Sequence, residues 1–264
     1  MLGDDDRMIG VLERHLWSMW GPIGRGPGAQ LTDTPTRLFV ETPVPQPPYN
    51  SVFRFLDDGT RDLRTQVDEV LARYQARPVT LAWVVHPTSP SGVRDCLSEH
   101  GLVLAEELFG MVAELAPLDL DSAFGPDVEL VEATAEDAAE WMEMVDVRYG
   151  LDAVGSSFVR QLMEENIGHA RWWLARVDGV PASKVILHVA DGVAGIYGVA
   201  TFEAGRGKGL ATALTKHALR AARESGCELG VLHSTPMACD LYRSIGFRDV
   251  ATFEIWAEPD RVYL

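Results

Sequence analysis

The chain has 264 residues, 47% hydrophobic and 23% charged, enough apolar material to fill one large domain or two modest ones. Its formal net charge of −16 argues against nucleic acid and anionic membranes as partners; it suits a cationic or amine substrate and also serves solubility. Cys96, Cys227 and Cys239 are too scattered for a disulfide framework or a zinc site, so no metal is expected. No apolar run reaches the roughly 18 residues of a membrane span, and the start Gly3-Asp4-Asp5-Asp6 has the wrong charge for a secretory leader, so a cytoplasmic location is expected.

Ile9, Leu12, Leu16 and Trp20 recur at helical spacing and predict a helix over 4–19, broken by the Gly/Pro stretch from Gly21 to Gly28. Strands are expected at Leu38–Glu41 and Ser51–Leu56, and an amphipathic helix from Asp62 to Arg73. A buried strand at Thr80–Val85, a helix at Ser89–His100 stopped by Gly101, and a long strand at Leu102–Leu115 follow. The polar segment Asp119–Pro126 reads as a boundary between two domains, 1–120 and 127–264. Beyond it come a strand at Val128–Val131, a helix capped by Thr134 and running to Arg148, and a second helix at Ser156–Glu165. Asp178-Gly179 and Asp191-Gly192 mark hairpin turns joining strands at Arg171–Val177, Ser183–Val189 and Ala194–Phe202. The chain closes with a helix at Leu210–Glu224, a strand at Glu228–His233, a helix at Pro236–Ser244 and a strand at Phe247–Trp256. The path Trp83-Val84-Val85-His86-Pro87, short helix, Gly101-Leu102, long strand echoes Val231-Leu232-His233-Ser234, short helix, Gly246-Phe247, long strand, as duplication would leave it.

Arg206-Gly207-Lys208-Gly209-Leu210-Ala211 lies between a strand and a helix that begins at once. Glycines there allow a tight turn and close backbone approach, and the helix start offers unpaired N–H groups and a positive dipole end, a natural seat for a pyrophosphate. Neither the Walker loop nor the dinucleotide fingerprint is present. In the segment from Ala238 to Phe247, the spacing puts Ala238, Leu241 and Tyr242 on one helical face, with Gly246 as the stop.

The first segment resembles the pyrophosphate loop of the GNAT acetyltransferases, Gln/Arg-x-x-Gly-x-Gly/Ala, with Arg206, Gly209 and Ala211 in its fixed positions. The second is similar to that superfamily's other signature, Ala-x-x-Leu-Tyr-x-x-x-Gly-Phe. The resemblance runs from Asp127 onward and implies an α/β fold: a mixed sheet splayed between the strand ending near Phe202 and the strand from Glu228 to His233. It implies acetyl-CoA, or another acyl-CoA, as cosubstrate. Backbone groups of Val199, Ala200 and Thr201 would pair with the pantetheine arm, and Gly207, Lys208, Gly209, Leu210, Ala211 and Thr212, with Arg206, would hold the pyrophosphate. Thr235 stands where the family often has an asparagine, and Glu203 and Gly205 replace its usual proline and aromatic. Tyr242 matches the general acid that protonates the departing thiolate. The base that takes the amine's proton is open among Glu203, His233 and His188, and Cys239 reads as either a nucleophile or a small buried hydrophobe.

Arg25-Gly26-Pro27-Gly28-Ala29 imitates the loop, but the turn-rich stretch Leu31–Arg37 follows it instead of a helix. Leu97 stands where the echo would need a tyrosine. The N-terminal half is thus expected to be a degenerate GNAT-like α/β domain of a tandem protein. The expected reaction is acetyl transfer to a primary amine of a small molecule bound between the halves. Protein or peptide N-acetylation and another acyl-CoA reaction are the alternatives, and homo-oligomerisation is left open.

Overall fold

The computed structural model describes residues 3–45, 48–77, 79–141, 153–165 and 170–259. The N-terminal half runs α1 (Asp4–Trp20), β1 (Gln30–Thr34), β2 (Arg37–Glu41), β3 (Ser51–Phe55), α2 (Leu63–Gln75), β4 (Ala82–Val85), α3 (Val93–Glu99) and β5 (Val103–Glu114). The C-terminal half runs β6 (Val128–Glu132), α4 (Ala153–Glu164), β7 (Ala170–Val177), β8 (Val180–Ala190), β9 (Val193–Thr201), α5 (Leu210–Glu224), β10 (Leu229–Ser234), α6 (Cys239–Ile245) and β11 (Arg248–Ala257). From α1 and from α4 the two paths are the same: helix, three strands, helix, strand, helix, strand.

All described strands join one 11-stranded sheet in the order β1-β2-β3-β4-β11-β5-β10-β9-β8-β7-β6. Among the described strands, only β3–β4 and β9–β10 pair in parallel, because a helix crossover separates each of these pairs while hairpins and returns join the rest. The last strand of each half crosses to the other half. β5 pairs with β10, β11 pairs with β4, and the two crossing strands pair with each other. The segment 120–127 therefore joins two stretches of chain whose strands interleave.

Alternation along the strands gives the sheet two apolar faces. One face packs under α1 and α4, where Leu12, Leu16, Phe158 and Leu162 meet Val40, Phe53, Val112, Tyr197, Val231 and Phe253. On the other, α5 and α6 cover Trp173, Val185, Ile196 and Leu232, while Val67, Leu71 and Leu97 of α2 and α3 cover Phe55 and Trp83. The core on the α1 face draws side chains from both halves.

Three expectations change. The stretch 31–37 is not all turn: Gln30–Thr34 is an edge strand paired with β2, and its polar, exposed side chains hide the alternation that reveals inner strands. The helix expected over Ser89–His100 starts only at Val93, because Gly92 enters it in the left-handed region at φ 88°. The Pro236–Ser244 helix opens as a 3-10 turn at Pro236–Ala238 before α6. Thr134 does start a helical segment, accepting from the N–H of Glu136, but its course to Arg148 lies outside the described residues beyond 141.

Candidate active site

β9 and β10 pair only where Val193–Ile196 meets Leu229–Leu232. Past Ile196 the two strands part. The parting coincides with a bulge in β9: pairing with β8 jumps from Ile186–Tyr197 to Lys184–Ala200, leaving Gly198 and Val199 opposite Val185 alone. Gly198 sits at φ 57°, which a residue with a Cβ adopts only at a cost. Beyond it Val199, Ala200 and Thr201 are half-buried; β8 holds one edge of this stretch and the other edge faces the fork. Ser183 fixes that stretch by donating to the Ala200 carbonyl at 3.0 Å and bonding the Thr201 hydroxyl at 2.8 Å.

At the open end of the fork the chain makes a 3-10 turn over Glu203–Gly205 and enters α5 through Gly207 at φ 74° and Gly209 at φ 69°. Nothing lies within 4 Å of a Cβ built at either glycine, so backbone conformation, not crowding, calls for glycine there. Gly209 is the N-cap and offers no side chain to the helix. The first-turn N–H groups of Leu210, Ala211 and Thr212 therefore point out of the helix with the positive end of its dipole. Arg206 is exposed beside them. Lys208 is not free for an anion, since its ammonium meets the Asp127 carboxylate at 2.8 Å, which raises the lysine pKa and lowers the aspartate's.

Tyr242 is buried beside α5 and packs edge-on to Phe247 with ring centroids 6.2 Å apart. Burial, with a smaller push from Cys239, raises its pKa above the ordinary 10.0, so the phenol keeps its proton. The Cys239 thiol is buried and donates to the Thr235 carbonyl at 3.2 Å, the arrangement of a packed small residue. That carbonyl also accepts from the Ser234 hydroxyl, and Thr235 itself is half-buried at the start of the 3-10 turn before α6.

The histidines expected as bases do not suit that work. His233 points to the α1 face, 4.5 Å from the Phe253 ring centroid, and both its ring nitrogens are sealed without a hydrogen-bond partner among the described residues. Burial, helped by His15, lowers its pKa to about 3, far from the near-neutral value a general base needs. His188 turns to α1, where its Nε2 meets the Ser18 hydroxyl at 3.0 Å. Glu203 is exposed on the turn before the glycine loop, about 16 Å of extended chain beyond Gly198.

The N-terminal counterpart of the glycine loop is 56–62, between β3 and α2, and not Arg25–Ala29, after which the chain passes directly into β1. It binds itself. Asp57 accepts from the Gly59 N–H, Asp58 from Thr60, and Asp62 caps α2 by accepting from the Thr65 N–H at 2.9 Å. Leu97, wholly buried, occupies the place of Tyr242.

Asp62 and Gly198 both carry local signals in the sequence. Asp-x-x-Thr ahead of an apolar run is a cap, and an isolated glycine inside a strand marks a bulge.

Among the described residues, no helix is long and apolar enough to cross a membrane, and no group of three or more His, Cys, Asp or Glu is arranged to hold a metal. The sequence profile of the acetyltransferase (GNAT) family matches residues 135–247. No curated protein matches the chain. Among solved structures, a GCN5-related N-acetyltransferase from Kribbella flavida is 21% identical with a TM-score of 0.69, covering 94% of this chain and 96% of its own. A tandem GNAT protein from the clavulanic acid biosynthesis pathway is 16% identical with a TM-score of 0.63, covering 97% and 96%. A GCN5-related N-acetyltransferase from Sphaerobacter thermophilus is 17% identical with a TM-score of 0.61, covering 84% and 80%. Residues 135–247 thus match the acetyltransferase (GNAT) family profile, within a mixed α/β fold whose likeness to the solved GNAT proteins extends over nearly the whole chain.

Proposed function

We propose that the chain transfers an acetyl group from acetyl-CoA to a primary amine of a small molecule, using the β9–β10 fork and the start of α5. The observation that carries this reading is the pairing of an open strand edge at Val199–Thr201 with an uncapped helix start at Gly209, one chain turn apart. Acetyl-CoA has an extended amide arm ending in a diphosphate. The strand edge suits the arm, and the N–H groups of Gly207, Gly209, Leu210, Ala211 and Thr212, with Arg206, suit the diphosphate. Lys208 contributes less than its charge suggests, because Asp127 already neutralises it.

In this reading the neutral amine attacks the thioester carbon inside the fork. The C–S bond breaks, and the thiolate takes the proton of the Tyr242 hydroxyl, which burial keeps in place at neutral pH. The proton that the attacking nitrogen sheds as the amide forms passes to water, and the Tyr242 oxygen takes a proton back from water. Neither His233 nor Glu203 takes the nitrogen's proton: the former is sealed with too low a proton affinity, and the latter stands at the diphosphate end.

The acceptor is read as small because α1 and α4 pack over the face of the sheet opposite α5, closing it against an extended polypeptide. In the same reading residues 1–120 are a degenerate GNAT-like half that completes the acceptor side and binds no CoA, and residues 127–264 carry the chemistry. The test compares turnover, read as free thiol release from acetyl-CoA, on a panel of small primary amines and on peptides with free N-termini or lysines. Turnover of a small amine is expected. Efficient peptide acetylation with no turnover of any small amine would replace this reading with a protein acetyltransferase.

A further inference from the structure

At the closed end of the same sheet, away from the fork, a cavity of about 510 Å³ opens beneath α1. One wall is a single face of α1, with Arg7, Val11, Arg14, His15 and Ser18 at positions i, i+4, i+7, i+8 and i+11. The facing wall is the β8–β9 turn at Asp191–Gly192 and the start of β10 at Glu228–Leu229. Its volume falls within the range of small-molecule sites, roughly 300–1,000 Å³.

The two walls carry opposite charges. On α1 itself, Asp4 and Asp5 both hold Arg248. Among the described residues neither Arg7 nor Arg14 has an ion-pair partner, and neither do Asp191 and Glu228. Guanidinium groups on one wall and carboxylates on the other line a single cavity without meeting. A ligand with one sign of charge would satisfy one wall and be repelled by the other. A molecule carrying both charges satisfies both.

The floor is built rather than incidental. His15 is buried between the cavity and the core, with Nδ1 2.9 Å from the Tyr197 hydroxyl and Nε2 3.2 Å from the Val193 carbonyl. It fits only because residue 195 is glycine: a Cβ there would lie 2.1 Å from the His15 ring. Burial lowers the His15 pKa to about 4, so the floor is polar and neutral and leaves the charge to the four outer residues.

We infer that this cavity is a second small-molecule site that takes a zwitterion of the amino-acid class, its carboxylate on Arg7 and Arg14 and its ammonium toward Asp191 and Glu228. The site is distinct from the acyl-transfer fork. The paired stretch Val193–Ile196 with Leu229–Leu232, about 10 Å of strand, stands between them, so an amine held here cannot reach a thioester in the fork. The inference stands whether or not the acetyl-transfer reading does.

The test is a titration of the full chain with ω-amino acids from glycine to 6-aminohexanoate, followed in 15N–1H spectra at constant ionic strength. Butyrate and butylamine serve as single-charge controls. At least one amino acid should shift the amides of Gly192, Val193 and Gly226 saturably, and bind at least tenfold more tightly than either control. That affinity should fall at least tenfold in Arg7→Ala/Arg14→Ala and again in Asp191→Asn/Glu228→Gln. All four side chains are exposed, so both variants should melt as the wild type does, and their acetyl-CoA affinity should not change. No saturable shift with any member of the series, unchanged affinity in both variants, or butyrate binding as well as the best amino acid would overturn the inference.

Discussion

α2 and α5 start from the same point of two similar chain paths, each following the strand that pairs in parallel with the next one. Their first turns are satisfied differently. At α2 the loop closes on its own carboxylates, and Asp62 takes the first-turn N–H that a phosphate oxygen would otherwise accept. At α5 two left-handed glycines deliver a helix start with no cap. A carboxylate cap stabilises its helix and fills the anion seat with negative charge; an uncapped glycine forgoes the stability and leaves the seat open. The second difference is a side chain: Leu97 where the other half has Tyr242. The backbone path is shared, so in the proposed function a few residues at a helix start and one on a helix face would separate a binding half from a supporting one.

The largest effect should come from the side chain that has no counterpart. Tyr242→Phe should lower kcat by roughly 10²-fold or more, the range for losing a general acid, with acetyl-CoA affinity nearly intact in calorimetry. Unchanged kcat would mean that the two halves differ there for packing alone. Because burial raises the Tyr242 pKa above 10.0, its acid form persists at neutral pH and is lost only above that value. The wild-type pH profile should therefore show no decline from this group up to about pH 10.

An intermediate effect is expected at the other helix start. Asp62→Ala removes the α2 cap and should cost about 1 kcal/mol in urea unfolding, without changing acetyl-CoA affinity. A variant that gained CoA binding would show that the cap alone keeps the N-terminal half silent. The smallest effect should be at Glu203. Glu203→Gln should leave kcat within about twofold, since steady-state rates of that size separate an exposed turn residue from a general base, whose loss costs roughly 10²-fold or more. A loss of that larger size would restore Glu203 as the base.

The elements of the catalytic path were legible because each carries a local signal. The hairpin turns at Asp178-Gly179 and Asp191-Gly192 both adopt positive φ, as their sequence requires. The apolar period of α1 was equally plain, yet its buried face also holds Glu13 and His15, which periodicity cannot foresee. Glu13 is held by His86 and Thr88 from the end of β4, and His15 by Tyr197 from β9. Those partners are distant in sequence, so only the fold brings them together. The interleaving of β5 and β11 was hidden for the same reason: a long apolar strand does not specify its neighbours, and strand order arises from packing across the whole sheet. His233 looked available as a base because strand alternation gives its face but not what covers that face, which is Phe253 and the α1 layer.

In the proposed function each chain holds one acyl-CoA site, at the start of α5. Calorimetric titration of the wild type and of Gly209→Asp with acetyl-CoA tests it most directly, because an aspartate there brings a side chain and a negative charge to the anion seat while Asp62 leaves the other helix start as it is. One acetyl-CoA per chain is expected for the wild type. In the variant, whose fold is checked by circular dichroism, affinity should fall at least about tenfold, roughly 1.4 kcal/mol. Two acetyl-CoA per chain, or unchanged affinity in a folded variant, would contradict it.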